Sequence, residues 1–295
     1  RSPGSAFKPF VFLAALEAGI SPDDVFVDGP ISVGGYAPRN FDGRHAGSVT
    51  FRDAAARSIN TVSLQLSERA GRARVIDAAR RLGIVSDLLA VPSLPLGTQE
   101  VTPLELVGAY AGIAAGGYRV PPYGIVEIRT QKGEVLFRRL AASPDRVVGA
   151  RVNAELVGLM RGVVETGTGR AARLDRPAAG KTGTSSDYRD AWFVGFTADL
   201  VAGVWVGNDN NSPMNRVLGS GLPAQIWRGF MIEAGRGVAP KDLAPPPAQG
   251  VAGELESVWQ KVLRQFGGGS APAGPAAPRP QAPQQNYELG RDSDR

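Results

Sequence analysis

The stretch PFVFLAALEA, residues 9–18, is apolar on nearly every side, and this constrains the fold more than anything else in the chain. A helix without a polar face has to be surrounded by other elements, so these residues predict a helix at the centre of a core. Pro9 fits only near the start of such a helix, and Gly19 ends it. The turn before it holds Ser5 and Lys8, spaced to share one face. With 295 residues, 43% hydrophobic and 21% charged, the chain can supply the core this helix needs.

The surroundings of that helix read as a mixed α/β protein. Residues 21–48, rich in Gly, Pro, Asn and Asp, predict a long surface excursion of the kind that borders sites. Helices are expected at 49–58, where Thr50 caps and Asp53 follows three residues on, and at 62–69, 72–82 and 102–115, the last with Thr102 before Pro103. Segments 125–129 and 134–138 flank Gln-Lys-Gly as a small hairpin. After a helix at 151–164, the runs 180–185, 191–197 and 201–207 predict an antiparallel sheet. A helix at 222–234 carrying Trp227 and Phe230 is expected to lie on it. Trp192, Phe193, Phe196, Val204, Trp205 and Val206 read as sheet packing, and Asp190 as a residue that orients the strand or rims a site. Residues 241–295 are rich in Pro, Ala and Gly and predict a mostly disordered tail with one short helix at 255–266.

Several chemistries are excluded. The chain has no Cys and one His, so neither a thiolate nucleophile, a histidine metal cluster nor a cysteine zinc site is available, and His45 reads as a loop residue. No cofactor motif is present; Gly167-Thr168-Gly169 follows a helix and lacks the spacing of a nucleotide fingerprint. The net charge of +5 is scattered, which argues against a nucleic-acid surface. No stretch is long enough to span a membrane.

Three short motifs remain: Ser5-Ala6-Phe7-Lys8 at a helix start, Ser58-Ile59-Asn60 between two helices, and Lys181-Thr182-Gly183 on a strand. Each alone is commonplace. Together they supply an acyl-transfer apparatus without histidine. Ser5 is the nucleophile and Lys8 the base, its amine deprotonated by burial and by a second cation such as Lys181. Ser58 offers a hydroxyl relay and Asn60 a fixed donor and acceptor, while Ile59 points into the core. In AGKTGTSS, Lys181 and the hydroxyls of Thr182 and Thr184 suit a substrate carboxylate, and Gly180 and Gly183 would let a ligand backbone approach. The N–H groups of Ser5 and Thr184 are candidates for an oxyanion hole.

The chain resembles the transpeptidase domain of the class A, bifunctional penicillin-binding proteins, within the penicillin-recognising serine acyltransferases. The likeness runs through PGSAFKPFVFLAALE, GGYAPRNFDGRHAGSVTFRDAAARSIN, LPLGTQEVTPLELVGAYAGIAAGG, VVETGTG, AAGKTGTSSDYRDAWFVGFTADLVAGVWVGND and GLPAQIWRGFM, from Arg1 to about Ala234. Ser185 stands where many members have a second Thr, and Pro95 where a small residue is common. The resemblance implies a beta-lactamase/transpeptidase-like fold: an antiparallel sheet flanked by helices with a largely helical second lobe, over residues 1–240. Against the family pattern the N-terminal strands are missing, so three strands stand where about five are expected and one sheet edge is exposed.

The same resemblance implies roles. Ser5 would attack the penultimate D-alanine carbonyl of a peptidoglycan stem peptide and be acylated by beta-lactams. Lys8 would be base, Ser58 relay, Asn60 a substrate and lysine contact, and Lys181 an electrostatic partner. Thr182 and Thr184 would bind the substrate carboxylate, Gly183 and Ser185 would be further substrate-binding residues, and the loop 167–169 would border the site. Implied partners are stem peptides, a lipid-linked precursor and cell-wall synthesis proteins. The implied location is the bacterial inner membrane, facing the periplasm or exterior, with membrane contact only through a missing N-terminal region that would also hold a glycosyltransferase. A D,D-carboxypeptidase or serine beta-lactamase is the alternative within the fold, although no segment resembles a deacylating-Glu loop. A non-catalytic beta-lactam sensor or scaffold is the alternative outside enzymology.

Overall fold

The computed structural model describes residues 1–140 and 145–243; the expected helix at 255–266 and most of the expected tail lie outside the described residues. The central helix is α1 (Lys8–Glu17), in which every residue from Lys8 to Leu16 is buried. Ser5 lies just ahead of it, in a 3-10 turn over Gly4–Phe7 rather than in the α-helix itself. Helices wrap α1 as its apolar circumference requires: α3 (Asn60–Ala70), α4 (Arg72–Leu82) and α6 (Ala150–Glu165) all pack on it.

The excursion at residues 21–48 contains more structure than its composition suggests. Strands β1 (Val25–Asp28) and β2 (Gly47–Thr50) pair antiparallel, with Phe26 opposite Val49 and Asp28 opposite Gly47. Four-residue strands flanked by Asp, Gly and Pro are too short to show a period of two, and residues 47–49 precede the helix proper. Helix α2 (Phe51–Arg57) therefore starts after Thr50, whose Oγ1 accepts from the Asp53 N–H at 3.1 Å. Helix α5 (Pro103–Ala114) opens with a full capping box between Thr102 and Glu105. The expected small hairpin forms from β3 (Glu127–Arg129) and β4 (Val135–Arg138).

The main sheet has the order β5-β6-β7, all antiparallel: β5 (Ala179–Thr184), β6 (Asp190–Phe196) and β7 (Val201–Gly207). Every residue of the central strand β6 is buried, because helices cover both faces. On one side Trp192, Val194 and Phe196 join the core of α1, α5 and α6. On the other, α7 (Leu222–Ala234) seats Trp227 against Phe193 with ring centroids 5.0 Å apart, and the indole N–H donates to Ala202 O at 3.1 Å. Phe230 does not share that contact; it lies on the outer face of α7, 56% exposed. Strand β7 is an edge among the described residues and only half buried. The result is the mixed fold expected from the sequence, an antiparallel sheet between helices.

Candidate active site

Tertiary packing brings the three motifs to one place, between the 3-10 turn, the α2–α3 junction and β5. The turn carrying Ser5 is pinned from several directions. Gly4 N–H donates to Gly97 O at 3.1 Å, Tyr110 Oη to Ala6 O at 2.7 Å, and Trp192 Nε1 to Ser2 O at 2.9 Å. Burial pushes the Tyr110 phenol well above its ordinary pKa and so keeps it a donor. Gly4 has φ +51°, and a Cβ there would stand 2.5 Å from Thr184 O and 3.0 Å from Thr184 N. The peptide groups around Ser5 and Thr184 are thus immediate neighbours. In the β5–β6 register Ser185 N–H bonds to Asp190 O, so the next pair, Thr184 with Ala191, turns its peptide groups away from β6.

Lys8 and Lys181 are both completely buried, and the Ser58 hydroxyl lies between their amines, 3.2 Å from Lys8 Nζ and 2.8 Å from Lys181 Nζ. Lys8 Nζ also donates to Ser58 O at 2.7 Å and Asn60 Oδ1 at 2.8 Å. Lys181 Nζ also donates to Thr182 O at 3.1 Å. Among the described residues no bond joins Lys8 to Ser5. Burial, then the charge of Lys181, hold the Lys8 amine well below the ordinary lysine range. Burial lowers Lys181 to about 7. Two ammonium groups sharing one hydroxyl in a dry site cannot both stay charged, so the pair gives up a proton below the ordinary lysine range. A neutral Lys8 that gives its two N–H groups to Ser58 O and Asn60 Oδ1 turns its lone pair to the Ser58 hydroxyl at 3.2 Å.

Ser58 itself has φ 59° and ψ 39°, the left-handed conformation that usually follows a helix as glycine. Strain of this kind, about 1 kcal/mol for a residue with a Cβ, is retained where the side chain has a use. Ile59 is buried in the core beside it, as its position between the two polar residues implied.

On β5 the placements are less uniform. The Thr182 hydroxyl is 2.7 Å from that of Thr168, so the loop 167–169 does border the site, through a side chain the sequence reading did not single out. Thr184 Oγ1 accepts from Gly219 N–H at 3.1 Å, which leaves its own proton to donate. Ser185 Oγ donates to Asp190 Oδ2 at 3.0 Å, and Trp205 Nε1 donates to the other oxygen of that buried carboxylate at 3.0 Å. Asp190 therefore orients the end of the strand. The glycines serve a different purpose from the one expected. A Cβ on Gly183 would meet Pro3 O at 2.3 Å and Ala6 N at 3.0 Å, and one on Gly180 would meet Val194 O at 2.8 Å. Protein backbone fills the space they leave, and for Gly183 it is the 3-10 turn that carries Ser5. His45 lies in the loop before β2 with Nδ1 3.1 Å from Asp28 Oδ1. Among the described residues no acidic, cysteine or histidine cluster has the makings of a metal site.

Besides Thr168, sequence reasoning missed Gly97, Gly219, Asn40 and the Arg39 carbonyl, all of which hold site residues in place. Loop residues of this kind carry no periodicity, and backbone donors have no sequence signature.

A serine at the head of a buried helix, a buried lysine one turn on and a second serine between two amines form the pattern of the penicillin-recognising serine acyltransferases. Residues 1–215 match the family described as penicillin binding protein transpeptidase domain, and the chain belongs to that family. It is 34% identical over 264 residues to penicillin-binding protein 1A of Rickettsia prowazekii, an alignment covering 79% of this chain and 34% of that protein. It is 38% identical over 261 residues to penicillin-binding protein 1A of Neisseria meningitidis, covering 83% and 33%. The chain thus spans about a third of the length of these curated relatives. Among solved structures it is similar to PonA1 of Mycobacterium tuberculosis in complex with penicillin V, with TM-score 0.76, 29% identity and coverage of 82% and 71%. Penicillin-binding protein 1A of Haemophilus influenzae gives TM-score 0.74, 28% identity and coverage of 84% and 44%.

Proposed function

We propose that this chain is a serine D,D-transpeptidase that cross-links peptidoglycan stem peptides and is acylated by beta-lactams. The observation that carries the reading is the completely buried Lys8 amine, one turn from Ser5, held by Ser58 O, Asn60 Oδ1 and the Ser58 hydroxyl and kept well below the ordinary lysine range by burial. In the acylation step the Ser5 Oγ proton passes to Lys8 and Oγ attacks the penultimate D-alanine carbonyl. The N–H groups of Ser5 and Thr184 receive the oxyanion. The C–N bond then breaks, and the proton returns from Lys8 through Ser58 to the leaving nitrogen, so the terminal D-alanine departs with a neutral amine and its carboxylate still ionised. An acceptor amine on a neighbouring stem peptide attacks the resulting ester, and Ser5 regains its proton. Lys181 with the Thr182 and Thr184 hydroxyls takes the terminal carboxylate, and an extended substrate lies along the outer edge of β5. Ser185, its hydroxyl donated to Asp190, supports the end of that binding edge.

Support also comes from the relatives: PonA1 was solved with penicillin V, and penicillin-binding protein A of M. tuberculosis, 27% identical, as an imipenem acyl-enzyme. By the same likeness the domain acts at the outer face of the bacterial inner membrane, among cell-wall synthesis proteins. The curated relatives are about three times as long, which accommodates a glycosyltransferase that uses the lipid-linked precursor. No helix among the described residues is long and apolar enough to cross a membrane.

The test is incubation with a fluorescent penicillin followed by mass spectrometry of the adduct. A single adduct on the Ser5 peptide, absent from a folded Ser5→Ala variant, is expected. A folded wild-type protein without an adduct, or an adduct that survives Ser5→Ala, would overturn the mechanism.

A further inference from the structure

The acid–base half of the site is tied to the loop between β1 and β2, which no step of the reaction above uses. Asp28 is buried, and its carboxylate accepts four hydrogen bonds: from Thr61 Oγ1 at 2.6 Å, Asn40 Nδ2 at 2.7 Å, Ala46 N at 2.8 Å and His45 Nδ1 at 3.1 Å. Burial opposes its ionisation, but these bonds outweigh burial and hold the carboxyl at about 2. A charge fixed this way holds whatever donates to it, and Asn40 is itself 9% exposed.

The Asn40 amide is committed at both ends. Its Nδ2 gives one N–H to Asp28 and the other to Arg44 O at 2.8 Å. That fixes which way the amide faces, and Oδ1 accepts from the N–H groups of Asn60 at 3.0 Å and Thr61 at 3.4 Å. Helix α3 has no side-chain cap of its own, so Asn40 caps it from twenty residues away. The peptide bond before Asn40 carries the Arg39 carbonyl, which accepts Asn60 Nδ2 at 2.7 Å. With Nδ2 drawn to Arg39, the opposite end of the Asn60 amide, Oδ1, faces Lys8 Nζ at 2.8 Å. A flipped Asn60 would set donor against donor and leave a buried amine hydrogen without an acceptor.

We propose that Asn40 is a positioning residue for acylation, aiming the Asn60 oxygen at Lys8, and that Asp28 holds Asn40 in the orientation this requires. The inference rests on the acyl-transfer reading above and extends the site to a loop that touches no reacting atom. It assigns a use to a buried carboxylate–amide pair that the reaction itself leaves unexplained.

The test compares second-order rate constants for acylation by a fluorescent penicillin, each protein being held well below its own melting midpoint. Wild type, Asn40→Asp, Asp28→Asn and the exchange variant Asp28→Asn/Asn40→Asp are measured. Asn40→Asp sets two carboxylates against each other without a donor between them, and acylation slows about tenfold or more. The exchange variant restores one amide donor and one carboxylate acceptor across the pair at unchanged charge, and its rate returns to within about threefold of wild type. Because the exchange would also recover stability lost with the pair, melting midpoints are read on the same samples, and a rate loss that only follows the midpoint overturns the proposal. Asn40→Asp acylating within about twofold of wild type, or an exchange variant no faster than Asn40→Asp, overturns the proposal. Should Asn40→Asp fail to fold, Thr61→Val carries the test by removing one donor to Asp28: about threefold slower acylation supports the proposal, and an unchanged rate overturns it. A folded wild type that never forms an adduct removes the acyl-transfer reading and this inference together, whereas a labelled wild type with unaffected variants removes the inference alone.

Discussion

The two walls of the site are built on opposite terms. On the helical wall the polar atoms are already engaged with protein: Lys8 with Ser58 and Asn60, and Asn60 with Arg39 and Asn40. On the strand wall the peptide groups of Thr184 turn away from the sheet, and its hydroxyl keeps a proton to give. The difference separates two tasks. A proton-transfer group has to be aligned before substrate arrives, because alignment during the reaction would add to the barrier. A binding edge has to leave its hydrogen bonds for the ligand to complete.

The contrast is broken most severely at Lys8. Lys8→Met keeps the buried volume and removes the amine, so labelling slows by about 10²–10⁴-fold. The thermal midpoint changes far less than the rate, since relief from desolvating the amine offsets the acceptors left unpaired at Ser58 O and Asn60 Oδ1. Labelling kinetics and melting curves on the same samples decide it, and a variant that both labels and melts like wild type would remove Lys8 from the helical wall's function.

Next in size is pH. Acylation needs neutral Lys8, so below the titration of the Lys8–Lys181 pair the rate falls about tenfold per pH unit. For stability the sign is opposite to that of an ordinary salt bridge. Lys181 titrates at about 7 when folded and near 10.5 when unfolded. Between those values the unfolded chain binds more protons, so stability from this group rises with pH across that window and is lowest below 7. Denaturant midpoints of wild type relative to Lys181→Met, followed from pH 6 to 10, should climb; a flat difference would contradict a depressed Lys181.

Gly183→Ala attacks the seam between the walls. Its methyl would face the Pro3 carbonyl at 2.3 Å, which is backbone and cannot swing aside. The turn and strand separate, with an expected loss of about 1–3 kcal/mol in denaturant unfolding and slower labelling. Normal stability with normal labelling would mean that the turn is not clamped to the strand. The smallest effect belongs to the open wall: Thr184→Val removes one substrate-facing hydroxyl and costs about 1 kcal/mol of acylation, roughly fivefold in rate, with a melting midpoint near wild type. A loss as large as that of Lys8→Met would erase the division of labour between the walls.

Legibility differed between the two walls as well. All three motifs were readable, because side-chain chemistry at fixed short spacings is a sequence property, and so were the long helices and the three main strands. Asn40, Arg39 and Gly219 were not, since their contributions arise from contacts across twenty or more residues and partly from backbone atoms. Phe230 shows a further limit: Trp227 and Phe230 are three residues apart on α7, yet one packs on Phe193 and the other lies outside. Periodicity alone does not say where an apolar stripe stops.

The sequence by itself determined that α1 had to be central, since no polar face was left to turn outward, and that any acyl-transfer chemistry had to do without a thiolate or a histidine cluster, since cysteine is absent and histidine stands alone. Only the tertiary structure decided what Gly180 and Gly183 make room for, that two buried amines share one hydroxyl, and which way the Asn60 amide faces. Those outcomes depend on burial and on partners distant in the chain. Dielectric surroundings and hydrogen-bond direction do not exist until the chain has folded around them.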